Sequence, residues 1–294
     1  MPDALLRLAL IGVDPPGVAF CGIRYVDGER VAEARFSAEP GRGVRRTVLN
    51  QVLAERAHAL GVRFMTDRVD AIVQGADWVE AAGVRSRYLV GADGLHSQVR
   101  RSLGLSAVSG RHQRFGVRQH FAIPPWTDMV EVHWLSGAEL YVTPVAEGTV
   151  GVAVLGAAPL HLAAAIGCVP DLARRLDGAA LASTARGAGP LRQRVIARRS
   201  GRALLVGDAA GYVDALTGEG LRIGFAEAEA AVDAIVAGRP EGYEAEWRRI
   251  TRSYRWLTSA LLWTTAHRHL RPLVVPTAGA LPWAFRRIVE RLAY

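Results

Sequence analysis

The sequence predicts an α/β protein in which two domains are interleaved along the chain. Two short apolar runs, at 88–90 and 204–206, each end in a glycine-flanked aspartate turn that precedes a helical stretch. Between them, residues 115–155 alternate between apolar and polar side chains and carry turn residues at short intervals, which favours an antiparallel sheet. Residues 239–294 have mostly helical spacing. A chain that leaves one domain, builds a sheet domain and then returns explains this order.

The first elements follow from local punctuation. Asp27-Gly28 stands between two strand-like runs and predicts a hairpin, and Gly61 ends an amphipathic helix. The predicted elements up to residue 103 are a helix at 4–11, strands at 18–26 and 30–36, a helix at 47–60, strands at 62–65, 68–73, 77–81 and 84–90, and a helical turn at 97–103.

The later elements follow from the same reasoning. The predicted strands are 115–122, 129–134, 139–144, 150–155, 195–197 and 203–206. The predicted helices are 158–187, 218–237, 241–271 and 283–292. These elements predict three parts: a discontinuous domain of 1–105 with 196–238, a sheet domain of 106–195, and a C-terminal helical segment of 239–294.

Charge and composition exclude several classes of function. The chain has 36 basic and 28 acidic residues, a net charge of +8, and every basic residue is arginine. A protein that binds nucleic acid clusters its basic residues on one face, whereas these arginines are scattered through the sequence. We therefore expect no nucleic-acid partner.

The cysteine and histidine content argues against metal and disulfide chemistry. Cys21 and Cys168 are the only two cysteines, too few for a disulfide framework or a four-ligand zinc site. His267 and His269 lack a further ligand at suitable spacing, so no metal site is predicted. The sequence has neither a secretion signal nor an apolar run of 18 residues, and a cytoplasmic protein is expected.

The first motif follows the apolar run at 88–90. Asp93 and Gly94 form a turn, Ser97 stands near the start of a helix, and Arg100 lies in the first turn of that helix. Backbone N–H groups at such a turn suit a phosphate group. The alternative is an ordinary Asp-Gly turn followed by a helix N-cap.

The second motif follows the apolar run at 204–206. Gly207 and Asp208 end the strand, so the carboxylate can accept hydrogen bonds from sugar-like hydroxyl groups. Gly218 and Gly220 then allow the backbone to approach a ring closely, and the positive end of the following helix lies at the same place. The alternative is a strand, a loop and a helix whose glycines serve only the turns.

Taken together and in this order, the motifs resemble those of the FAD-dependent monooxygenase and geranylgeranyl reductase superfamily. The shared pattern is A-D-G-x-x-S-x-V-R, followed by L-x-G-D-A-A and then G-x-G. The resemblance implies an incomplete Rossmann-like FAD-binding domain interleaved with an antiparallel substrate domain and C-terminal helices. The cofactor-binding residues that it implies are Asp93, Gly94, Ser97, Arg100, Gly207, Asp208, Gly218 and Gly220.

A third segment also resembles the superfamily. Arg46, Leu49 and Leu53 are spaced like a family helix whose arginine reaches FAD, and Arg45 is the neighbouring alternative. The family opens with a strand and G-x-G-x-x-G, and no such sequence occurs in residues 1–45. The resemblance therefore implies a member without its first βαβ unit, and an early-truncated gene, a start assigned too far downstream and a genuine loss all fit.

Two expectations follow from that departure. FAD binding by this chain should be weak, because in the family the pyrophosphate site lies in the first βαβ unit, the unit that is missing here. The missing first strand, which the strands that end at Val90 and Val206 would normally flank, should leave a sheet edge or an apolar face open, and this exposure should promote self-association.

The resemblance implies an FAD-dependent oxidoreductase that uses NAD(P)H and acts on a hydrophobic small molecule by double-bond reduction or hydroxylation. Thr217 and the three residues after it resemble the reductase branch, and Gly211 replaces the usual histidine of the hydroxylases. No catalytic side chain can be named. Two alternatives stay open: a degenerate relative that binds FAD weakly without activity, and a binder of apolar ligands. Trp247, Trp256, Trp263 and Trp283 are interpreted as core residues, with contact to a membrane surface as the alternative.

Overall fold

The computed structural model describes residues 1–108 and 113–294. The chain folds as two units. The first unit comprises Met1–Val62, Arg114–Gly189 and Ser259–Tyr294, and the second comprises Arg63–Gln113 and Pro190–Thr258.

The elements alternate between the two units. The strands are β1 (Val18–Phe20), β2 (Gly22–Asp27), β3 (Arg30–Arg35), β4 (Gly41–Gly43), β5 (Ile72–Gln74), β6 (Val79–Ala81), β7 (Val84–Ser86), β8 (Leu89–Gly91), β9 (Phe115–Ala122), β10 (Val130–Leu135), β11 (Ala138–Ala146), β12 (Thr149–Gly156), β13 (Ala180–Leu181), β14 (Arg186–Ala188), β15 (Arg199–Ser200) and β16 (Ala203–Leu205). The α-helices are α1 (Pro2–Leu10), α2 (Arg46–Ala59), α3 (Gln98–Ser102), α4 (Leu162–Gly167), α5 (Pro170–Leu176), α6 (Gly220–Val236), α7 (Tyr243–Ala266), α8 (Val274–Ala280) and α9 (Pro282–Ala293).

The first unit is built on an eight-stranded sheet. Its strand order is β13-β9-β12-β11-β10-β2-β3, and β14 pairs with β9 as well. Strands β9 to β12 are antiparallel neighbours, as their alternating pattern predicts, whereas β2 joins β10 in parallel. The turn at Gly28, where φ is +59°, closes the predicted hairpin between β2 and β3. Apolar residues on one face, among them Leu140 and Val152, pack with Leu162 and Leu172 of α4 and α5.

The helix predicted at 158–187 is wrong in its second half. Two short helices, α4 and α5, are followed by β13 and β14, which both pair with β9. Pro170 can open a helix but cannot continue one, so it separates α4 from α5. Gly178 has a φ of +68° and redirects the chain toward the sheet.

The second unit contains two three-stranded sheets, β15-β16-β8 and β5-β6-β7. The core includes Leu204 and Leu205 of β16 together with Tyr243 and Trp247 of α7. The strand predicted at 62–65 does not form. The strand predicted at 68–73 is replaced by the shorter β5, which begins at Ile72 and ends at Gln74. The side chains of Val62, Phe64 and Met65 are exposed, so burial does not stabilise an extended pairing there.

Strands β8 and β16 are direct parallel neighbours, and Ala203 pairs with Leu89. The expectation that the strands ending at Val90 and Val206 flank the place of a missing strand is therefore wrong, since they leave no open position between them. Strand β8 itself lies at an edge of the three-stranded sheet, and Val90 is 40% exposed. The backbone pairing that holds these two strands together also determines the geometry of the site described below.

The observed units differ from the predicted division into 1–105 with 196–238, 106–195 and 239–294. The predicted sheet domain, 106–195, does not include residues 22–35. In the structure, however, β2 and β3 extend that sheet through the pairing of β2 with β10. The reason is that a parallel pairing between distant segments leaves no local signal, unlike a hairpin. The C-terminal segment also is not a separate unit, since it is divided after Thr258.

The C-terminal tryptophans have different environments. Trp247 is buried, as predicted from the sequence. The side chains of the other three, Trp256, Trp263 and Trp283, are each more than half exposed, so the prediction that they pack in the core is wrong. In the part of the chain that the structure describes, no helix has the length and apolar character needed to cross a membrane.

Candidate functional site

The two motifs of the second unit start at the same end of one sheet. Leu205 of β16 is paired in register with Gly91 of β8, and the Val206 N–H donates to the Gly91 carbonyl at 3.0 Å. The segments that follow β8 and β16 then leave the sheet at its carboxyl edge, where open α/β sheets bind their ligands. Eight of the nine predicted cofactor-binding residues lie in this unit.

The first motif is organised around the start of α3. The Asp93 Oδ2 accepts hydrogen bonds from the backbone N–H groups of Gln98 at 2.6 Å and Val99 at 3.1 Å. The Ser97 hydroxyl oxygen accepts from the Arg100 N–H at 2.9 Å, and Ser97 is fully buried. Gly94 supplies the positive φ, +78°, that the turn requires. Asp93 and Ser97 thus both cap the helix, which is the alternative interpretation of this motif.

The second motif forms a single turn of 3-10 helix at Gly207–Ala210. The strand before it is completely buried, and Gly207 leaves that strand with a φ of +60°. An added Cβ at Gly207 would meet no protein atom within 4 Å, so open space lies beside the turn. Asp208 follows with a half-buried side chain.

Arg100 connects the two motifs. One guanidinium nitrogen donates to the backbone carbonyls of Asp208 at 3.3 Å and Ala209 at 3.0 Å. The other terminal nitrogen donates to the Leu95 carbonyl at 2.7 Å and the Gln193 side-chain oxygen at 2.9 Å. Only 3% of Arg100 is exposed, and burial lowers its pKa from the ordinary value. Its donors are used inside the protein, so the geometry makes Arg100 a positioning residue for the Gly207–Ala210 turn.

Two further ionisable side chains hold the ends of that turn. The Gly207 N–H donates to the Glu227 carboxyl at 2.6 Å, and the Arg198 Nε donates to the Ala210 carbonyl at 3.1 Å. Burial raises the pKa of Glu227 to about 8, although the Gly207 N–H partly opposes that shift. The Arg198 guanidinium also stacks on the Trp247 ring, 3.5 Å from its centre.

Glu227 and Arg198 are not among the residues predicted from the sequence. A signal for Glu227 was present: it lies on α6 four residues after Ile223 and four before Ala231, and all three are buried. A carboxylate on the apolar stripe of a helix needs a partner, because burying an unpaired charge is costly. Arg198 left no comparable signal, since a single arginine in a loop resembles the many exposed arginines.

The glycines of the second motif, Gly218 and Gly220, lie at the start of α6. Gly218 has a φ of +70° and no protein atom within 4 Å of an added Cβ, and Gly220 is the first residue of the 17-residue helix. Between them, Glu219 is buried and forms an ion pair with Arg222. Burial raises the pKa of Glu219, although Arg222 opposes the shift. The ion pair between Glu219 and Arg222 thus stabilises the start of the helix, while open space lies beside Gly218.

A cavity of about 340 Å³ lies next to these elements. Gly207, Asp208 and Gly220 line it, together with the aromatic rings of Tyr212 and Tyr254. This arrangement fits part of a nucleotide cofactor that has hydroxyl groups and an electron-rich ring. It combines open space beside two glycine turns with a carboxylate at a strand end and the N-terminus of a long helix. The described residues contain no group of three or more side chains suited to hold a metal ion.

Arg46, the remaining predicted residue, belongs to the first unit. It is the first residue of α2 and is exposed. Its neighbour Arg45 precedes the helix and donates to the Ala182 carbonyl at 3.3 Å. Leu49, from the same pattern, is buried as expected.

Comparisons with known proteins agree with this architecture. Residues 33–162 match a family model described as an FAD binding domain. No curated protein sequence matches the chain. Among solved structures, the p-nitrophenol 4-monooxygenase PnpA from Pseudomonas putida DLL-E4 is 19% identical with a TM-score of 0.79, over 100% of this chain and 87% of that one.

Other solved structures share the fold. The anhydrotetracycline hydroxylase OxyS from Streptomyces rimosus is 22% identical with a TM-score of 0.71, over 99% of this chain and 66% of that one. The flavin-dependent brominase Bmp2 is 16% identical with a TM-score of 0.80, over 100% of this chain and 82% of that one. The chain spans 55% of the length of the flavin-dependent halogenase CmlS. This chain therefore shares its fold with solved flavin-dependent monooxygenases and halogenases, and part of it matches the FAD binding domain model, in agreement with the resemblance of the motifs.

Proposed function

We propose that this protein is an FAD-dependent oxidoreductase whose second unit binds the flavin cofactor. The observation that carries the proposal is the parallel pairing of β8 with β16, which brings the turn after Gly91 and the turn at Gly207–Ala210 to one sheet edge. Three buried ionisable side chains, those of Arg100, Arg198 and Glu227, fix the backbone of the second turn. A turn held this rigidly presents Asp208 in one orientation, as a binding site requires.

In this proposal each part of the site has a separate role. The Asp208 carboxylate accepts hydrogen bonds from the hydroxyl groups of the ribityl chain, and Gly218 leaves room for the ring. The N-terminus of α6 favours negative charge on that ring. Bound FAD would supply the electron transfer, for which amino-acid side chains have no equivalent. The role of Arg100, Glu227 and Arg198 is to hold the binding turn in place.

We further propose that NAD(P)H is the reductant and that the substrate is a hydrophobic small molecule. The fold neighbours include proteins described as hydroxylase, monooxygenase and halogenase, so the reaction class is the open part of the proposal. Double-bond reduction and hydroxylation are the two reactions that the sequence motifs favour. Oxidation of NADPH with and without oxygen separates them, because hydroxylation consumes oxygen and double-bond reduction does not.

The cofactor assignment can be tested by titrating FAD into the purified protein and following flavin fluorescence. Asp208→Ala should weaken binding by about 1.5–3 kcal/mol, the value of a hydrogen bond to a charged group. Asp233→Asn is the matched control, because Asp233 is an exposed carboxylate further along α6. Equal affinity of all three proteins for FAD, or no binding by the unmodified protein, would refute the proposal. The second outcome would favour the degenerate relative.

A further inference from the structure

The first unit contains a second cavity, of about 740 Å³, that the flavin chemistry does not use. It lies between the β2–β3 turn, the end of β10 and the helices α4 and α5. Most of its walls are apolar and include Val26, Leu135, Val154 and Ala165. A cavity of this size and character is typical of sites for small organic ligands.

The cavity lining includes a buried histidine. His133 is 9% exposed, and its Nε2 has no hydrogen-bond partner among the described residues. The Glu131 Oε2 lies 3.6 Å from it, which allows an ion pair with a protonated ring but is beyond hydrogen-bond distance. A buried nitrogen without a partner is costly, and a ligand that bonds to it would remove that cost.

Glu131 is already held from its other side. Arg24 donates to its Oε1 at 2.9 Å, and the Trp126 indole N–H donates to its Oε2 at 3.3 Å. Burial would raise the pKa of Glu131, but its contacts with His133, Arg24 and Trp126 outweigh burial and lower it. The carboxylate behind His133 is therefore negative.

The rim of the cavity is acidic. Asp27, Glu29 and Asp171 line it, and the lining contains no arginine in a protein with 36 basic residues. Asp171 is paired with Arg174, whereas Asp27 and Glu29 form no hydrogen bond or ion pair through their side chains within the described residues. The turn of the first hairpin thus brings the Asp27 and Glu29 carboxylates to an apolar opening. The half-buried Arg271, which donates to the Leu135 and Ala138 carbonyls of the same cavity wall, offsets part of the charge of Asp27.

We propose that this cavity binds a lipophilic amine, with its apolar body between the sheet and α4 and its cationic nitrogen at the carboxylates of Asp27 and Glu29. A carboxylic acid of the same length would be repelled by the rim, and a neutral alcohol would gain nothing from it. The His133 Nε2 can bond only to an amine whose body also carries a hydroxyl or carbonyl group, which the simple probes below lack, so these probes test the apolar wall and the acidic rim. The proposal is independent of the proposed flavin chemistry.

The experiment compares dodecylamine, dodecanol and dodecanoate by isothermal titration calorimetry with the full chain, below the concentrations at which they form micelles. We expect one molecule of amine per chain, weaker binding of the alcohol and the weakest binding of the acid. Binding of dodecanoate as tight as that of dodecylamine, or no binding of any probe, would overturn the proposal.

Two variants locate the site. Asp27→Asn with Glu29→Gln should weaken amine binding about tenfold, the effect of two solvent-exposed ion pairs. Asp233→Asn with Glu241→Gln is the control, because it removes the same charge from exposed positions in the second unit. Ala164→Phe fills the cavity from an exposed position of α4 and should abolish binding without unfolding. Unchanged amine affinity in the Asp27–Glu29 double variant or in Ala164→Phe would show that the amine binds elsewhere.

Discussion

The two units of this protein are stabilised in opposite ways. In the first unit, strands of six to nine residues such as β10 and β11 pair in long registers over a broad apolar core. In the second unit, the sheet that carries the motifs consists of strands of two or three residues. There the Gly207–Ala210 turn is held by Arg100, Glu227 and Arg198.

The difference determines how each unit responds to change. A distributed apolar core loses packing energy locally when one side chain is shortened. A turn held by a few buried charges loses several hydrogen bonds at once, and the acceptors left behind stay buried and unsatisfied. The candidate site is therefore built on the unit in which single side chains matter most.

Removing Arg100 should have the largest effect. Arg100→Met deprives five acceptors, including the Ser106 hydroxyl oxygen, of their donors, and we expect the second unit to lose about 4 kcal/mol of stability. Hydrogen exchange followed by mass spectrometry measures this loss separately in peptides of each unit. Arg101→Met is the control, since Arg101 is exposed and its side chain bonds to the neighbouring Gln98 of the same helix. Equal effects of the two changes would show that the buried arginine does not organise the turn.

The matching test in the first unit is Leu140→Ala. Leu140 is fully buried in the sheet core, and its truncation should destabilise that unit by about 3 kcal/mol through the cavity left behind. Urea unfolding, with hydrogen exchange to identify the unit, measures the change. Leu181→Ala, at an exposed position of β13, should have little effect. A loss in the second unit as large as that in the first would contradict the comparison.

Glu227 makes the second unit sensitive to pH. Its pKa of about 8 in the folded protein lies above its unfolded value, so the folded state keeps the proton over a range in which the unfolded state has lost it. Stability should therefore fall as pH rises from about 4.5 to about 8, and change no further above that range. Urea unfolding at several pH values tests this fall.

Two substitutions separate the proton from the hydrogen bond. Glu227→Gln keeps an oxygen for the Gly207 N–H but cannot titrate, so it should flatten the pH dependence of the second unit. Glu227→Ala should cost about 2 kcal/mol at pH 6, because the buried N–H loses its acceptor. If the glutamine variant retains the full fall in stability, another group is responsible.

The smallest expected effect concerns Asp93. Asp93→Ala removes the acceptor for two N–H groups at the start of α3 and should cost about 1 kcal/mol in the second unit. If Asp93 serves only as a cap, FAD affinity should not change beyond this loss. A fall in FAD affinity with unchanged hydrogen exchange in α3 would show instead that Asp93 contacts the cofactor.

Prediction from the sequence succeeded where the signal is local. The hairpin at Gly28 and the helices α2 and α6 follow from residues within a few positions of each other, and the motifs around Asp93 and Asp208 were found in the same way. It failed where partners are distant. The pairing of β8 with β16 and the hydrogen bond between Gly207 and Glu227 join segments with no shared pattern. For Arg100, sequence alone could not decide whether its donors face a ligand or the backbone of the protein.

The parallel pairing of β2 with β10 has a consequence for synthesis of the chain. Arg24 and Glu131, which face each other in that pairing, are 107 residues apart. At about 5–20 residues per second, the ribosome needs about 5–20 s to deliver the partner strand. During that time both edges of the nascent hairpin, including the edge of β2 that later pairs with β10, are unpaired, and an isolated two-stranded hairpin is only marginally stable in water. The first unit therefore completes its sheet late, and its earliest strands wait longest for a partner.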